Sequence, residues 1–573
     1  MKTSLPSILW PAAALLFWAE TVPAQSPPPL ASEIFIDGSR PSGIDFLHRN
    51  SGYAQKILPD IMGGGAALLD VDQDGDLDVY LTQARLLGET QEGPPLSDQL
   101  YLNVTPPGGK LRFHNATAKA GISATGFGMG VACGDVDNDG YPDLYVTNWG
   151  SNQLWMNKGD GTFREATSAA GVDDPRFSTS ASFFDYDRDG DLDLFVANYV
   201  DMSLENKVDC FADNSAPDYC GPDAYDPVSD RLFRNKGDGT FEDVTSTAGI
   251  SQAFGAGLGV VTADLNGDGW IDIYVANDGD PNQLWINQKD GTFLDEALLA
   301  GVALNATGKA EAGMGVDVSD FDGDGDLDIF VTHLMEESNT LYINRGQGFF
   351  EDDTIASGLH LPSLSFTAFG TAFLDYDNDG HPDLLSLNGA VRIDQKLKAQ
   401  GDSFPLGQPN QLFRNLGDGR FSEVSRQAGA AFQLAEVSRG AALGDVDNDG
   451  DVDLLVGNVN GPARLLLNQV GSDRAWIGLR LLGAGERDQL GAQVTLRPAE
   501  GAPLVRQSRT DGSYCSCRDA RVLAGLGTRK GPVSVEVLWP DGRVESFGGL
   551  QINRYHTLRQ GSGEGKPSDP AGQ

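Results

Sequence analysis

One nine-residue pattern, D-x-[DN]-x-D-G-x-x-D, occurs seven times in this chain and constrains its fold more than any other feature. A pattern that returns every few tens of residues indicates an array of similar units, each of which packs against its neighbours. We therefore expect a repeat architecture rather than one large core. The copies, which we call aspartate loops, begin at Asp70, Asp135, Asp185, Asp264, Asp320, Asp375 and Asp445.

The spacing of acidic residues in each loop predicts calcium binding. Calcium prefers six to eight hard oxygen ligands, and loop positions 1, 3, 5 and 9 offer side-chain oxygens while position 7 offers its backbone carbonyl. The alternative is a set of solvated acidic turns, but carboxylates crowded this closely repel one another unless a cation lies among them. The predicted ligands of about seven structural Ca²⁺ ions are Asp70, Asp72, Asp74, Asp76, Asp78, Asp135, Asp137, Asp139, Tyr141, Asp143, Asp185, Asp187, Asp189, Asp191, Asp193, Asp264, Asn266, Asp268, Trp270, Asp272, Asp320, Asp322, Asp324, Asp326, Asp328, Asp375, Asp377, Asp379, His381, Asp383, Asp445, Asp447, Asp449, Asp451 and Asp453.

The residues around the loops indicate strands. Position 6 is always glycine, which suits a sharp reversal with a positive φ. The residues that follow position 9 alternate with a period of two, as in 143–148 and 193–198, and this predicts a strand. An EF-hand loop lies between helices, so the flanking sequences exclude that motif.

Each repeat is predicted to form four strands, the last two joined by a Gly-Asp-Gly turn. In the second repeat they are residues 126–134, 143–148, 152–157 and 162–167. Seven such units predict an all-β fold, a seven-bladed β-propeller, in preference to an open solenoid. The last repeat lacks a fourth strand. We expect the N-terminal segments 33–37 and 42–46 to replace it and to close the ring.

The chain is expected to be a secreted protein. A lysine, an apolar run and a small-residue cleavage pattern ending at Ala24 indicate a signal peptide,, and no other run is apolar and long enough to span a membrane. The protein is thus expected to be extracellular, periplasmic or at the cell surface. The expected segments are a signal peptide (1–24), a linker (25–32), the propeller (33–472), a small C-terminal β domain (473–560) and a disordered tail (561–573).

Charge and cysteine content narrow the possible partners and cross-links. A formal net charge of −41 argues against a nucleic acid partner,. In a secreted protein, Cys210 and Cys220 are expected to form a small-loop disulfide. Cys133 lies in an apolar run and is expected to be a buried thiol. A bond between Cys515 and Cys517, one residue apart, would be strained.

The connectivity of the strands assigns loops to two faces of the ring. Because the strands run up and down alternately, the aspartate loops and the Gly-Asp-Gly turns share one face. The long insertions, at about 84–98, 199–231 and 389–409,, all join the second and third strands and share the other face. We call that face the insertion face and expect it to bind the ligand, since binding residues concentrate on loops of rigid scaffolds.

A polar residue ends the second strand of every blade. One interpretation is a ring that contacts a ligand at the mouth of the propeller. The other, which we favour, is that these side chains cap the strand ends through bonds to the backbone. The seven candidate ligand-face residues are Gln83, Asn148, Asn198, Asn277, His333, Asn388 and Asn458.

The sequence resembles a known family. The segment from Gly126 to Gly140 is similar to the FG-GAP/VCBS propeller repeat, which also builds the head of integrin α-subunits, where calcium occupies such loops. From about Ala475 the chain resembles the ASPIC/UnbV domain, in residues 490–494, 511–514, 523–527 and 535–542 and in Asn553. The combination is similar to bacterial members of the cartilage acidic protein family. Cys515-Ser-Cys517 stands where that family is expected to have Leu-Ser and a polar residue, so a disulfide or metal role there stays open.

Two classes of function fit these observations. The first is a calcium-stabilised extracellular binding or adhesion module, whose partner is an unknown protein or glycan. The second is a calcium-dependent extracellular enzyme, such as a polysaccharide lyase or a tailoring enzyme, with His48, His333 or Arg392 on the insertion face. The common catalytic motifs are absent from the sequence,, so we assign no catalytic residue and favour the binding module.

Overall fold

The computed structural model describes residues 33–52, 55–87, 95–212 and 214–565, which form an almost entirely β-sheet molecule. Seven antiparallel sheets of four strands make up most of it, and we number them as blades 1 to 7 in the order of their aspartate loops. The expected signal peptide (1–24) and linker (25–32) lie outside the described residues, as does the chain beyond residue 565.

Each aspartate loop joins the first two strands of its blade, as predicted. The second strand of blade 2 has the predicted bounds, and the other three are slightly shorter than expected. The strands are, in blade 1, Ala66–Leu69, Asp78–Leu81, Gln99–Asn103 and Phe113–Asn115; in blade 2, Gly128–Gly134, Asp143–Asn148, Gln153–Asn157 and Phe163–Glu165; in blade 3, Ser178–Phe184, Asp193–Asn198, Arg231–Asn235 and Phe241–Asp243; in blade 4, Gly257–Ala263, Asp272–Asn277, Gln283–Asn287 and Phe293–Asp295; in blade 5, Val316–Ser319, Asp328–Val331, Thr340–Asn344 and Phe350–Asp352; in blade 6, Ala368–Leu374, Asp383–Asn388, Gln411–Asn415 and Phe421–Glu423; and in blade 7, Ser438–Gly444, Asp453–Asn458, Arg464–Asn468 and Phe35–Asp37.

The first strands of neighbouring blades pack against one another around a central channel. The contacts run from blade 1 to blade 7 and return to blade 1, where Ala66–Leu69 packs against Ser438–Gly444. This return contact closes the ring and confirms the seven-bladed propeller over the open solenoid. Buried clusters of apolar side chains fill the spaces between blades.

The N-terminal strand Phe35–Asp37 is the fourth strand of blade 7, as predicted. It pairs antiparallel with Arg464–Asn468, with Phe35 opposite Asn468 and Asp37 opposite Leu466. The second expected segment, residues 42–46, is not a strand. Ser42 ends a short helix, and Ile44 and Phe46 instead place their side chains in the core beside blade 1.

Short helices and one extra hairpin connect these strands. The α-helices are Ser39–Ser42, Thr117–Ala120, Thr167–Ala170, Ala297–Ala300, His360–Ser363 and Gln395–Ala399, and the 3₁₀ helices are Leu58–Ile61, Pro222–Ala224, Ile250–Gln252, Ala430–Gln433, Gly471–Asp473 and Ala484–Glu486. The strands Cys210–Phe211 and Pro217–Asp218 pair within the blade 3 insertion. Within the described ranges, no helix is long and apolar enough to cross a membrane.

The C-terminal domain consists of two sheets around its own apolar core. Part of the expected tail, which began at 561, is ordered, since Glu564–Gly565 pair with the strand Val544–Leu550. The three-stranded sheet has the order Val522–Gly527, Ala475–Leu482, Tyr555–Arg559, and the five-stranded sheet has the order Leu504–Gln507, Gln493–Arg497, Val533–Leu538, Val544–Leu550, Glu564–Gly565.

One segment of the C-terminal domain enters the channel of the propeller. We call residues 508–519 the channel loop. Ser513 forms a bridge with Val316 of blade 5, and Cys517 forms one with Ala67 of blade 1. Tyr514 is fully buried, and its hydroxyl donates to the carbonyl of Met62 at 2.7 Å. The channel is thus occupied by the protein's own chain.

Candidate functional site

The aspartate loops bring three carboxylates together in most blades. In blade 2, oxygens of Asp135, Asp137 and Asp143, at positions 1, 3 and 9, lie within 4.8 Å of one another. The same positions converge in blades 1, 3, 5 and 6, as Asp70, Asp72 and Asp78; Asp185, Asp187 and Asp193; Asp320, Asp322 and Asp328; and Asp375, Asp377 and Asp383.

The carboxylate at position 9 holds the loop in shape. In blade 2, the Asp143 carboxylate accepts the backbone N–H of Val136 at 3.0 Å and that of Asn157 at 2.7 Å. The equivalent pair of bonds recurs in all seven blades. Position 9 is therefore a structural anchor whose carboxylate also faces the other two acids.

An asparagine that the sequence analysis did not single out connects the loops of adjacent blades. The Asn157 side-chain amide donates to the carbonyl of Pro142 in its own loop at 3.2 Å and to that of Val71 in the blade 1 loop at 2.9 Å. The available signal was an asparagine recurring at the end of every third strand. Its counterparts are Asn103, Asn235, Asn287, Asn344, Asn415 and Asn468.

Two positions of each loop adopt left-handed backbone conformations. The predicted position is the glycine at position 6, such as Gly140 with φ of 94°. Position 4 is also left-handed, a feature that the sequence analysis did not single out. Asparagine tolerates that conformation, as at Asn138, but Arg188 adopts it too, with φ of 62°.

The carboxylates of the aspartate loops are buried close to one another, without enough positive charge nearby to balance them. Burial, together with the charge of neighbouring aspartates, raises the pKa of Asp328 to about 9 and that of Asp185 to about 7. One oxygen each of Asp137, Asp185 and Asp451 is buried without a hydrogen-bond partner. Unpaired buried oxygens among crowded carboxylates match what a hard divalent cation binds. The residues therefore fit the calcium ion that the family resemblance implies.

Position 5 lies outside the triads named above. In blade 2 the Asp139 carboxylate accepts the backbone N–H of Tyr141, at position 7, at 3.0 Å. In blade 4, Asn266 takes the place of the acid at position 3 and hydrogen-bonds to Asp268 at 3.1 Å. The structure thus groups positions 1, 3 and 9, while position 5 shapes the turn.

The C-terminal domain covers the aspartate-loop face. Arg474 pairs with Asp377 at 2.9 Å, and the Tyr555 hydroxyl donates to Asp445 at 2.8 Å. Arg487 donates to Asn138 at 2.7 Å. A cavity of about 420 Å³ remains between the loops of blades 1 and 2 and this domain, and arginine side chains of the domain line it. The sequence did not predict this cover.

The polar residues predicted to end the second strands are all buried, although Gln83 and His333 lie two residues beyond the ends of theirs. The Asn277, Asn388 and Asn458 amides donate to proline carbonyls in the following loops at 2.8 Å, and the others lie at equivalent places. These bonds fit the interpretation that the ring caps strand ends. The seven residues, none more than 3 % exposed, are Gln83, Asn148, Asn198, Asn277, His333, Asn388 and Asn458.

The long insertions gather over the opposite mouth of the channel. Asp218 in the blade 3 insertion accepts the backbone N–H of Ile393 in the blade 6 insertion at 3.2 Å. The predicted disulfide between Cys210 and Cys220 is present in the blade 3 insertion. The insertions of blades 3 and 6 therefore form one connected surface. This agrees with the prediction that both lie on the insertion face.

Two cavities open on the insertion face. The larger, about 930 Å³, is a groove over blades 1 to 3 lined by Arg85, Phe127, Trp149, Arg176 and Phe177. The smaller, about 240 Å³, lies at the mouth of the channel. In it the Tyr199 hydroxyl donates to Asp278 at 2.5 Å, and burial raises the pKa of Asp278 to about 7.

The three candidates for catalysis do not share a site. His48 is buried, and its Nδ1 accepts the backbone N–H of Asn460 at 3.1 Å. His333 is buried in blade 5, and burial lowers the pKa of both imidazoles to about 4. Arg392 is exposed and lines the smaller cavity.

Two protein-family models match the chain. The FG-GAP-like repeat matches residues 70–146, 135–196, 219–275, 264–331, 320–386 and 403–456. The ASPIC and UnbV family matches residues 483–565, most of the C-terminal domain.

Individual proteins similar to the chain include cartilage acidic protein 1. The Homo sapiens protein is 31% identical over 511 residues, which cover 85% of this chain and 70% of that protein. The Mus musculus protein is 26% identical over 511 residues, covering 85% and 72%. A solved lectin from Agrocybe aegerita, described as recognising non-reducing terminal N-acetylglucosamine, has a TM-score of 0.37 and 16% identity, covering 65% of this chain and 90% of its own.

Proposed function

Because the chain belongs to the family of FG-GAP repeat proteins with a C-terminal ASPIC/UnbV domain, which includes cartilage acidic protein 1, we propose that it is a secreted, calcium-stabilised binding module. Its ligand is an extracellular protein or glycan. The disulfide between Cys210 and Cys220 supports an oxidising compartment, since such bonds persist mainly outside the cytosol,.

Calcium in this proposal is structural. The supporting observation is the convergence of three carboxylates in each named triad, with unpaired buried oxygens in the loops. A cation that binds the folded loops and not the unfolded chain adds its binding energy to folding stability. Thermal melting with and without a chelator tests this role, and an unchanged midpoint would contradict it.

The ligand surface in this proposal is the groove on the insertion face. The observation that carries this choice is the cover of the aspartate-loop face by the C-terminal domain. The groove also has the composition of a recognition site, with aromatic and arginine side chains together. Trp149 is half-buried there, packs edge-on against Phe127 at 5.5 Å, and donates its indole N–H to the carbonyl of Met202.

A binding array of glycans and extracellular proteins, probed with the full chain in calcium, identifies the ligand class. The groove is then tested with Trp149→Ala, which we expect to abolish binding to any ligand found. Trp270→Ala is the matched control, because Trp270 is also half-buried but lies in an aspartate loop against Arg188. Equal losses in both variants, or retained binding by Trp149→Ala, would move the ligand site away from the groove. Melting curves of both variants verify that each is folded.

A further inference from the structure

Two thiols from different domains lie together in one buried cluster. Cys133 belongs to the first strand of blade 2, and Cys517 belongs to the channel loop. Each is at most 2 % exposed, and both pack in the apolar core between blades 1 and 2. Both are free thiols in this structure. The backbone N–H of Val131 donates to the carbonyl of Cys515 at 3.3 Å, which sets the channel loop alongside the strand that carries Cys133. Burial raises the pKa of the Cys133 thiol, and the adjacent Cys517 thiol raises it as well.

Separate hydrogen bonds fix the backbone on both sides of this pair. The Cys517 N–H donates to the carbonyl of Ala66 at 3.0 Å, and its carbonyl accepts the N–H of Leu68 at 3.1 Å. On the other side, the carbonyl of Cys133 accepts the Thr510 hydroxyl, also of the channel loop, at 3.0 Å. The two segments that carry Cys133 and Cys517 are thus held together by hydrogen bonds that do not involve the sulfurs.

The third thiol, Cys515, points elsewhere. Its side chain lies in a different buried cluster, with Tyr514 and Met62 at the mouth of the channel. Its backbone has a positive φ of 54°, and this conformation turns the chain between Cys515 and Cys517. Cys515 is therefore neither the partner of Cys517 nor that of Cys133.

We propose that Cys133 and Cys517 form a disulfide in the mature protein and join the propeller covalently to the C-terminal domain. The two thiols lose two protons and two electrons as the S–S bond forms. The electrons reduce the disulfide of a thiol–disulfide oxidant to two thiols, which take up the protons, so the exchange balances. Because both sulfurs are buried after docking, the bond forms before the channel is fully closed and is shielded from reductant afterwards.

The direct test uses the full chain, exported to an oxidising compartment and purified without reductant. The protein is denatured with an alkylating agent at low pH, digested without reduction and analysed by mass spectrometry. We expect a peptide pair linked through Cys133 and Cys517, with alkylation at Cys515. Alkylation of Cys133 or Cys517 would overturn the proposal, and so would a bond from either of them to Cys515.

A second measurement separates the bond from simple packing of the two side chains. In a Cys210→Ser/Cys220→Ser background, we expect a reductant, applied during slow heating, to lower the melting temperature by several degrees. In that background, the variants Cys517→Ser and Cys133→Ser should have the lowered melting temperature both with and without reductant. Cys515→Ser, the matched control, should still respond to it. An equal response in all three variants would overturn the proposal.

Discussion

Asp511 of the C-terminal domain accepts two hydrogen bonds from Thr262 on the first strand of blade 4, from its backbone N–H at 2.7 Å and from its hydroxyl at 2.6 Å. The same carboxylate accepts the Ser182 hydroxyl of blade 3 at 2.7 Å. Nearby, Asp317 of blade 5 is fully buried between Arg509 and Arg518 of the channel loop. Buried polar bonds to several blades therefore fix the C-terminal domain on the propeller.

Replacing Asp317 by Asn should destabilise the protein strongly. The substitution leaves Arg509 and Arg518 buried without their common counter-ion, and removing one partner of a buried ion pair costs roughly 3–5 kcal/mol. Equilibrium denaturation in urea with calcium present measures the change. Glu242→Gln is the control, because Glu242 pairs with Arg234 at 3.1 Å on an exposed strand, where such pairs contribute about 0–1 kcal/mol. Similar losses in both variants would show that Asp317 is not the anchor described above.

Truncating Phe35 should weaken ring closure. Phe35 is fully buried and stacks on Phe432 at 5.7 Å, and Phe→Ala in a core costs roughly 3–5 kcal/mol. Ile36→Ala, one residue along the same strand, removes a side chain that is 40% exposed, and we expect about 1 kcal/mol or less. Free energies of unfolding from denaturant titration compare the two. A smaller effect for Phe35 than for Ile36 would contradict the role of this strand in blade 7.

His333 should make stability depend on pH. Burial lowers its pKa from 6.5 to about 4, so between these values the unfolded chain binds a proton that the folded protein does not. Stability is therefore lost as the pH falls through 6.5, with about 2 kcal/mol gone by pH 5. His333→Asn, which inserts the residue found at this place in five other blades, should lose less stability between pH 7 and pH 5.

The control for this measurement is His114→Asn, since His114 is exposed on the fourth strand of blade 1. Free energies of unfolding at the two pH values, at constant calcium, give the comparison. If His333→Asn retains the full pH-dependence of the wild type, the buried neutral imidazole is not its source.

Each triad should account for one calcium ion. Asp137→Ala removes a carboxylate whose Oδ1 is buried without a partner, and elemental analysis of the calcium-saturated protein should find one ion fewer per chain. The melting temperature should fall as well, because that binding energy no longer supports the fold. Asp160→Ala, in the Gly-Asp-Gly turn of the same blade, is exposed and outside the triad. An unchanged calcium content in Asp137→Ala would reject the triad as a ligand set.

The sequence predicted the repeating part of the molecule well because its signals are local. The second strand Asp143–Asn148 and the left-handed Gly140 follow from spacing within a few residues,. The position of the N-terminal strand Phe35–Asp37 could also be predicted, because the last repeat of the sequence has no fourth strand of its own.

The contacts between the two domains were not predictable in this way. Arg509, Arg518 and Asp317 are far apart in sequence, and nothing local to any of them indicates a partner. The contact between the C-terminal domain and the aspartate-loop face likewise depends on how the surfaces of two folded domains fit together. The hydrogen bond from Tyr555 to Asp445 is an example. The polar ring was ambiguous in the sequence because a strand-ending asparagine suits both a ligand contact and a cap, and its burial favours the cap.

The position of Phe35–Asp37 has a consequence for biogenesis. This strand is made before any blade, yet its partner Arg464–Asn468 comes last in the propeller. Until then the ring stays open, and blade 7 has an unpaired edge that invites pairing with another chain. Synthesis is therefore the stage at which this protein is most exposed to aggregation. A nascent chain stalled before residue 464 would retain an N-terminal strand without its native partner.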